Sequence, residues 1–182
     1  MACNGNDTTV ARLRAAACLC MALASAPSWA CRAAPLQQLM GVNEQLALAS
    51  DVAVAQVVSV TPLANKHVEY RFLVLQHLAG AQHDGFVLRA WNGGYRLGNS
   101  TFDHHAEAAF WQRGGGRAMN GSDCVIHPEF VLGDSYLVFL GSPATRRSYE
   151  KIEVINGVVH EGDQWLAFVK QGLGMRRQRQ AP

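Results

Sequence analysis

Asp103-His104-His105, with Glu107 two positions on, is the densest group of metal-ligating side chains in the sequence. Imidazole and carboxylate are the ligands that zinc and other borderline cations accept. In an extended segment Asp103 and His105 would share a face while His104 points away. In a helix His104 and Glu107 would share a face instead. His127, close behind Cys124, is the candidate third ligand. The spacing matches no compact structural-zinc signature, and the alternative reading is the ordinary polarity of an exposed loop. No Gly-x-Ser-x-Gly elbow and no phosphate-binding glycine loop is present. The expected class is therefore non-enzymatic, with no cofactor implied; a metal-binding or metal-dependent protein built on Asp103, His104, His105 and His127 is the alternative.

Cysteine carries the second chemistry. Arg12 and Arg14 precede an apolar run from Ala15 to Ala26, and Ser28 and Ala30 match a small-x-small cleavage pattern. The expectation is a signal peptide over residues 1–30, cut after Ala30, in a protein that is secreted or periplasmic. The apolar run is shorter than the ~20 residues that span a bilayer, so an integral membrane protein is not expected. Cys3, Cys18 and Cys20 fall within the discarded segment, leaving Cys31 and Cys124. In an oxidising compartment two cysteines most simply pair, with two free thiols as the alternative. Closing a loop of roughly 90 residues contributes about 4–5 kcal/mol on the chain-entropy model.

Several elements must position these groups. Leu36, Leu39, Met40, Asn43, Leu46 and Ala47 fall on one helical face, which predicts a helix over Leu36–Ala49. Alternation of Val52, Val54, Val58 and Val60 predicts a strand over Asp51–Thr61, closed by Pro62. Further strands are predicted over His67–Leu78 and Phe86–Trp91. Residues 92–123 are rich in glycine and without period, an insertion of a length that is often functional. Within it, Phe110 and Trp111 are expected to fold the loop back onto the body of the domain. Trp91 and Trp165 are expected in the core. A Gly133-Asp134 turn introduces a strand over Tyr136–Leu140, and Ile152–Val159 reads as a hairpin around Asn156-Gly157. Asp163 is placed to cap a last helix with Trp165, Phe168 and Val169 on its buried stripe and Gly172 as its stop. The basic residues 176–182 then read as a disordered tail. The sum is an all-β fold, a small five-stranded barrel with flanking α-helices, over residues 31–175.

Composition limits the partners. The chain is 49% hydrophobic and 16% charged, with a formal net charge of +2. It lacks the concentrated basic surface of a nucleic-acid binder, so no nucleic-acid partner is expected.

A cleavage site directly before Cys31 is followed by the helical lead-in Leu36–Ala49. Next comes Ala49-Ser50-Asp51-Val52-Ala53-Val54-Ala55-Gln56-Val57-Val58-Ser59-Val60, then Cys124, then Gly133-Asp134-Ser135-Tyr136-Leu137-Val138-Phe139. This order of features, over roughly Cys31–Leu140, resembles the tissue-inhibitor-of-metalloproteinases-like, or netrin-like, domains, especially their short bacterial relatives. The resemblance implies an OB-fold barrel in which a Cys31–Cys124 bridge ties the N-terminus to the connector before the fourth strand. It also implies a partner: in the animal inhibitors the α-amine and carbonyl of the N-terminal cysteine chelate the zinc of a metalloprotease. Here that role falls to Cys31. An α-amine with a pKa near ~7.7–8.0 offers a neutral ligand near neutral pH, and a catalytic zinc keeps a position open for it. The family's frequent Cys-x-Cys opening is replaced by Cys31-Arg32-Ala33, which presents the Arg32 guanidinium to a pocket that normally takes a small or uncharged side chain. The expected partner is an extracellular or periplasmic metalloprotease or another envelope protein, with a structural accessory role in the cell envelope as a further alternative.

Overall fold

The computed structural model describes residues 40–93, 95–96, 102–112, 126–141 and 144–180. The chain divides into two units, Met1–Ala30 and Cys31–Pro182, and every described residue belongs to the second. Cys31, Arg32, Cys124 and the expected signal segment lie outside the described residues.

A short helix, α1 (Val42–Leu48), leads into a long strand, β1 (Asp51–Pro62). Two more strands complete an antiparallel meander, β2 (His67–Ala79) and β3 (Gly85–Trp91). Beyond them come β4 (Tyr95–Arg96), α2 (Ala108–Gln112) and β5 (Pro128–Glu129). The chain then returns as β6 (Ser135–Leu140) to the free edge of β1, with Val54 opposite Leu137. A turn of 3₁₀ helix at Arg146–Ser148 precedes β7 (Tyr149–Ile152). A small hairpin, β8 (Val154–Ile155) and β9 (Val158–Val159), and a long helix, α3 (Gln164–Gln180), end the described chain. The molecule is thus mostly β, built on one five-stranded antiparallel sheet in the order β3-β2-β1-β6-β7. Among the described residues no ladder joins the edge strands β3 and β7.

Side-chain alternation sends the two faces of this sheet into different cores. Val52, Val54, Leu137, Phe139 and Ile152 pack against Leu46 of α1, Phe110 of α2, and Trp165, Leu166, Val169 and Leu173 of α3. The opposite residues, Ala55, Val57, Tyr136, Val138 and Tyr149, join Tyr70 and Phe72 around Phe130. Because both faces are covered, Val52–Ala55 are all buried, whereas Val58 and Val60 beyond them are exposed. Each fully buried Val or Leu contributes ~1.5–3 kcal/mol. Phe130 lies within 5.0–5.5 Å of the rings of Tyr70, Phe72, Tyr136 and Tyr149, each edge to face. Those rings come from β2, β6 and β7, so the sheet must curl for one ring to touch all of them. Register irregularities in the β1–β2 ladder at Val52/Ala53, Val54/Ala55 and Val57/Ser59 supply the bend.

Several expectations are corrected. The strand β7 is an element beyond those expected; it occupies Tyr149–Ile152, and the hairpin expected over Ile152–Val159 starts only after it. The insertion 92–123 is not wholly irregular, for it contains β4 and α2. Trp91 is 40% exposed at the end of the edge strand, while Trp165 is fully buried as expected. Gly172 does not stop the last helix. It sits where a Cβ would meet the Leu46 Cδ1 at 2.7 Å, so its role is to let α1 and α3 approach. Residues 176–180, expected in a disordered tail, continue α3. Arg176 donates to the carbonyls of Leu46 and Ala49, and Arg177 to that of Leu78, which holds this end of the helix on the sheet. Among the described residues no helix is long and apolar enough to cross a membrane.

Candidate functional site

The Asp103-His104-His105 segment is neither strand nor helix but a tight turn. His104 and His105 both take left-handed backbone angles, φ 56° and 58°. Asp103 explains how non-glycine residues are held there. Its Oδ1 accepts the His105 N–H at 3.0 Å and its Oδ2 the Glu107 N–H at 2.9 Å. The carboxylate expected to bind metal is therefore occupied in folding its own loop. The turn is fastened at two further points. Trp111 Nε1 donates to the His105 carbonyl at 2.9 Å, and the first N–H of α3, from Gln164, donates to the His104 carbonyl at 3.0 Å. As expected, Phe110 and Trp111 fold this segment inward: Phe110 is buried, and the Trp111 ring packs on Trp165 and Phe168.

Two successive left-handed residues send the histidines in different directions. His105 turns into the core, where Nδ1 meets Asp163 Oδ2 at 2.7 Å and Nε2 faces Glu150 Oε2 at 3.8 Å. Asp163 also caps α3, its Oδ1 accepting the Leu166 N–H at 2.9 Å. Arg147 completes the cluster: Nη1 bonds Glu150 at 2.6 Å, Nη2 donates to the Phe110 carbonyl, and the guanidinium lies 3.5 Å from the Phe110 ring centroid. Burial pulls the His105 pKa down, but the hydrogen bond to Asp163 and the negative charges of Asp163 and Glu150 outweigh it and raise it from 6.5 to about 9. An imidazole oriented by a buried aspartate resembles a catalytic dyad. Here, however, the far nitrogen is met by Glu150 and the ring side chain is 7% exposed, so the arrangement secures the fold.

His104 turns outward, towards residues the sequence alone did not connect with it. Its Nε2 lies 3.6 Å from Glu153 Oε2, and its ring stands 4.5 Å from that of His160. Glu153 and His160 flank the β8–β9 hairpin, and the three residues converge with their ligand atoms within 4.8 Å of one another. A second such group joins Asp51 at the start of β1, His77 near the end of β2, and His83 in the following turn. In that group the facing ring nitrogens are already engaged: His83 Nε2 meets Asp51 Oδ2 at 3.0 Å, and the His83 backbone N–H donates to His77 Nε2 at 2.9 Å. His77 and His83 border a shallow cleft beside β2.

The four residues expected as a metal cluster are therefore dispersed. Asp103 holds the turn, His105 is buried on Asp163, and His104 joins Glu153 and His160. His127 lies apart, its Nδ1 accepting the Trp91 N–H at 3.2 Å. Sequence reasoning misses Glu153 and His160 because they lie some 50 residues beyond His104. The local signal that could find them is the Asn156-Gly157 turn, which sets the two side by side. No family model, curated protein or solved structure matches the chain.

Proposed function

We propose that this chain is an exported, non-enzymatic domain of netrin-like type, with an OB-fold barrel, that works by binding a protein partner. In its most concrete form the partner is a metalloprotease whose zinc is taken by the α-amine of Cys31 after cleavage behind Ala30. The observation that carries the reading is the sheet order β3-β2-β1-β6-β7. A three-stranded meander, with a fourth strand on the far side of a long bulged first strand and a fifth outside it, is the strand order of an OB barrel. The ring contacts of Phe130 across β2, β6 and β7 support the same curvature. A helix before β1 and another after the last strand fit the helical flanks of the family. On this reading the Cys31–Cys124 bridge makes the N-terminus rigid, which lowers the ordering cost of presenting the amine.

The test compares inhibition of zinc proteases by the mature protein with inhibition by a form carrying one alanine ahead of Cys31. Inhibition by the first and its loss in the second is expected. Equal inhibition by both, or by neither, excludes chelation through the amine.

A further inference from the structure

We infer that His104, Glu153 and His160 form a binding site for a borderline divalent cation, with zinc(II) as its representative. The site belongs to the domain itself and is independent of any zinc held by a partner.

Each ligand is delivered by a structure that needs no metal to form. The His160 N–H donates to the Glu153 carbonyl at 3.0 Å, so these residues face one another at the base of the hairpin and present their side chains on one face. Asn156 and Gly157, with φ 50° and 78°, close the hairpin tip. Gly162 leaves space for the His160 ring, since a Cβ there would stand 3.0 Å from Cε1. His104 arrives on the Asp103-braced turn, tied through its carbonyl to the start of α3. A preformed arrangement of this kind reduces the ordering cost of binding an ion.

The spacing distinguishes the group from a hydrogen-bonded cluster. Glu153 Oε2 is 3.6 Å from His104 Nε2 and 3.9 Å from His160 Nδ1, both too long for hydrogen bonds. Two ligands on one tetrahedral zinc, with bonds of ~2.0–2.1 Å, stand roughly 3.3 Å apart, so small side-chain movements bring all three onto one ion. His160 Nδ1 is buried and has no hydrogen-bond partner among the described residues, although it points towards this carboxylate. An ion would supply that partner. The group around Asp51 has already paired its facing atoms at 3.0 Å and 2.9 Å, and is the weaker candidate.

The ligand set defines the chemistry. Two imidazoles and one carboxylate suit zinc(II), cobalt(II) or iron(II) rather than calcium or magnesium, which prefer all-oxygen shells. The side chains of His104, Glu153 and His160 are 35%, 40% and 39% exposed, so an ion can enter from solvent and keep a coordination position open. Binding would join the β8–β9 hairpin to the turn that also carries His105.

The experiment uses full-length protein without a polyhistidine tag, stripped with chelator and titrated with zinc(II) against a chromophoric competitor. Cobalt(II) serves as the spectroscopic probe. Uptake of zinc at micromolar concentrations is expected, together with visible cobalt bands of tetrahedral or five-coordinate character. Glu153→Gln and His160→Ala should each weaken zinc binding by about tenfold or more, with unchanged far-ultraviolet circular dichroism. His83→Ala should bind as the parent does, and so should the form with an extra alanine before Cys31. No uptake of either metal at about 100 µM by the parent overturns the assignment. So does undiminished binding by folded Glu153→Gln, or a loss confined to His83→Ala.

Discussion

At the scale of single residues, the firmest electrostatic feature is the imidazole of His105 between Asp163 and Glu150. Its folded-state pKa of about 9 lies above the ordinary 6.5, so the folded state holds a proton that the unfolded chain releases. The resulting stability is fully present below pH 6.5 and is lost as pH rises through about 9, a change of roughly 3 kcal/mol. Urea midpoints at pH 6, 7.5 and 9 should therefore fall steadily. Asp163→Asn keeps a capping acceptor for Leu166 but removes the charge, so the mutant should be less stable at pH 6 and show a shallower decline. A parent midpoint that does not move between pH 6 and 9 would contradict the pairing. The sequence makes part of this visible. Asp163 stands where a helix cap belongs, and Asp103-His104-His105 stands out as ligating residues. What local pattern cannot carry is direction: two left-handed residues in succession send one histidine to the core and the other to solvent. Which histidine meets which carboxylate depends on partners some 45 to 60 residues away, such as Glu150 and Asp163.

At the scale of elements, α3 shows how one residue type serves opposite ends. A side-chain carbon added at Gly174 would have nothing within 4 Å, whereas at Gly172 it would meet Leu46 Cδ1 at 2.7 Å. Gly174→Ala should stabilise the protein by about 0.5–1 kcal/mol through helix propensity. Gly172→Ala should fall short of that by at least about 1 kcal/mol, because buried Leu46 must rearrange in a packed site. Thermal midpoints of both variants test the contrast, and equal gains would refute the close approach of α1 and α3. The same glycine explains why the end of α3 is misread from sequence: a stop signal and a contact surface are written with the same letter. Strands β1, β2, β3 and β6 are legible because each alternates or runs apolar over five residues or more. β7 is not, since Tyr149-Glu150-Lys151-Ile152 is too short to display a period and becomes a strand by pairing with β6.

At the scale of the whole molecule, the arginines at the end of α3 connect three places distant in sequence: α1, the residue that follows it and the end of β2. Hydrogen bonds from charged donors contribute about 1.5–3 kcal/mol each at most. Truncation after Met175 should therefore lower stability by roughly 2 kcal/mol, read as a shift in the urea midpoint, and an unchanged midpoint would show the contacts to be inert. The position of β1 between β2 and β6 also imposes an order of events. Its first edge pairs within the meander, but its second edge waits for β6, some 80 residues later in the chain. At ~5–20 residues per second, a ribosome takes roughly 4–16 s to deliver that partner. For this interval Val52–Val58, uncharged and apolar except for Gln56, presents a bare strand edge of the kind that recruits other chains. The central strand of the finished sheet is thus, during synthesis, the segment most in need of protection.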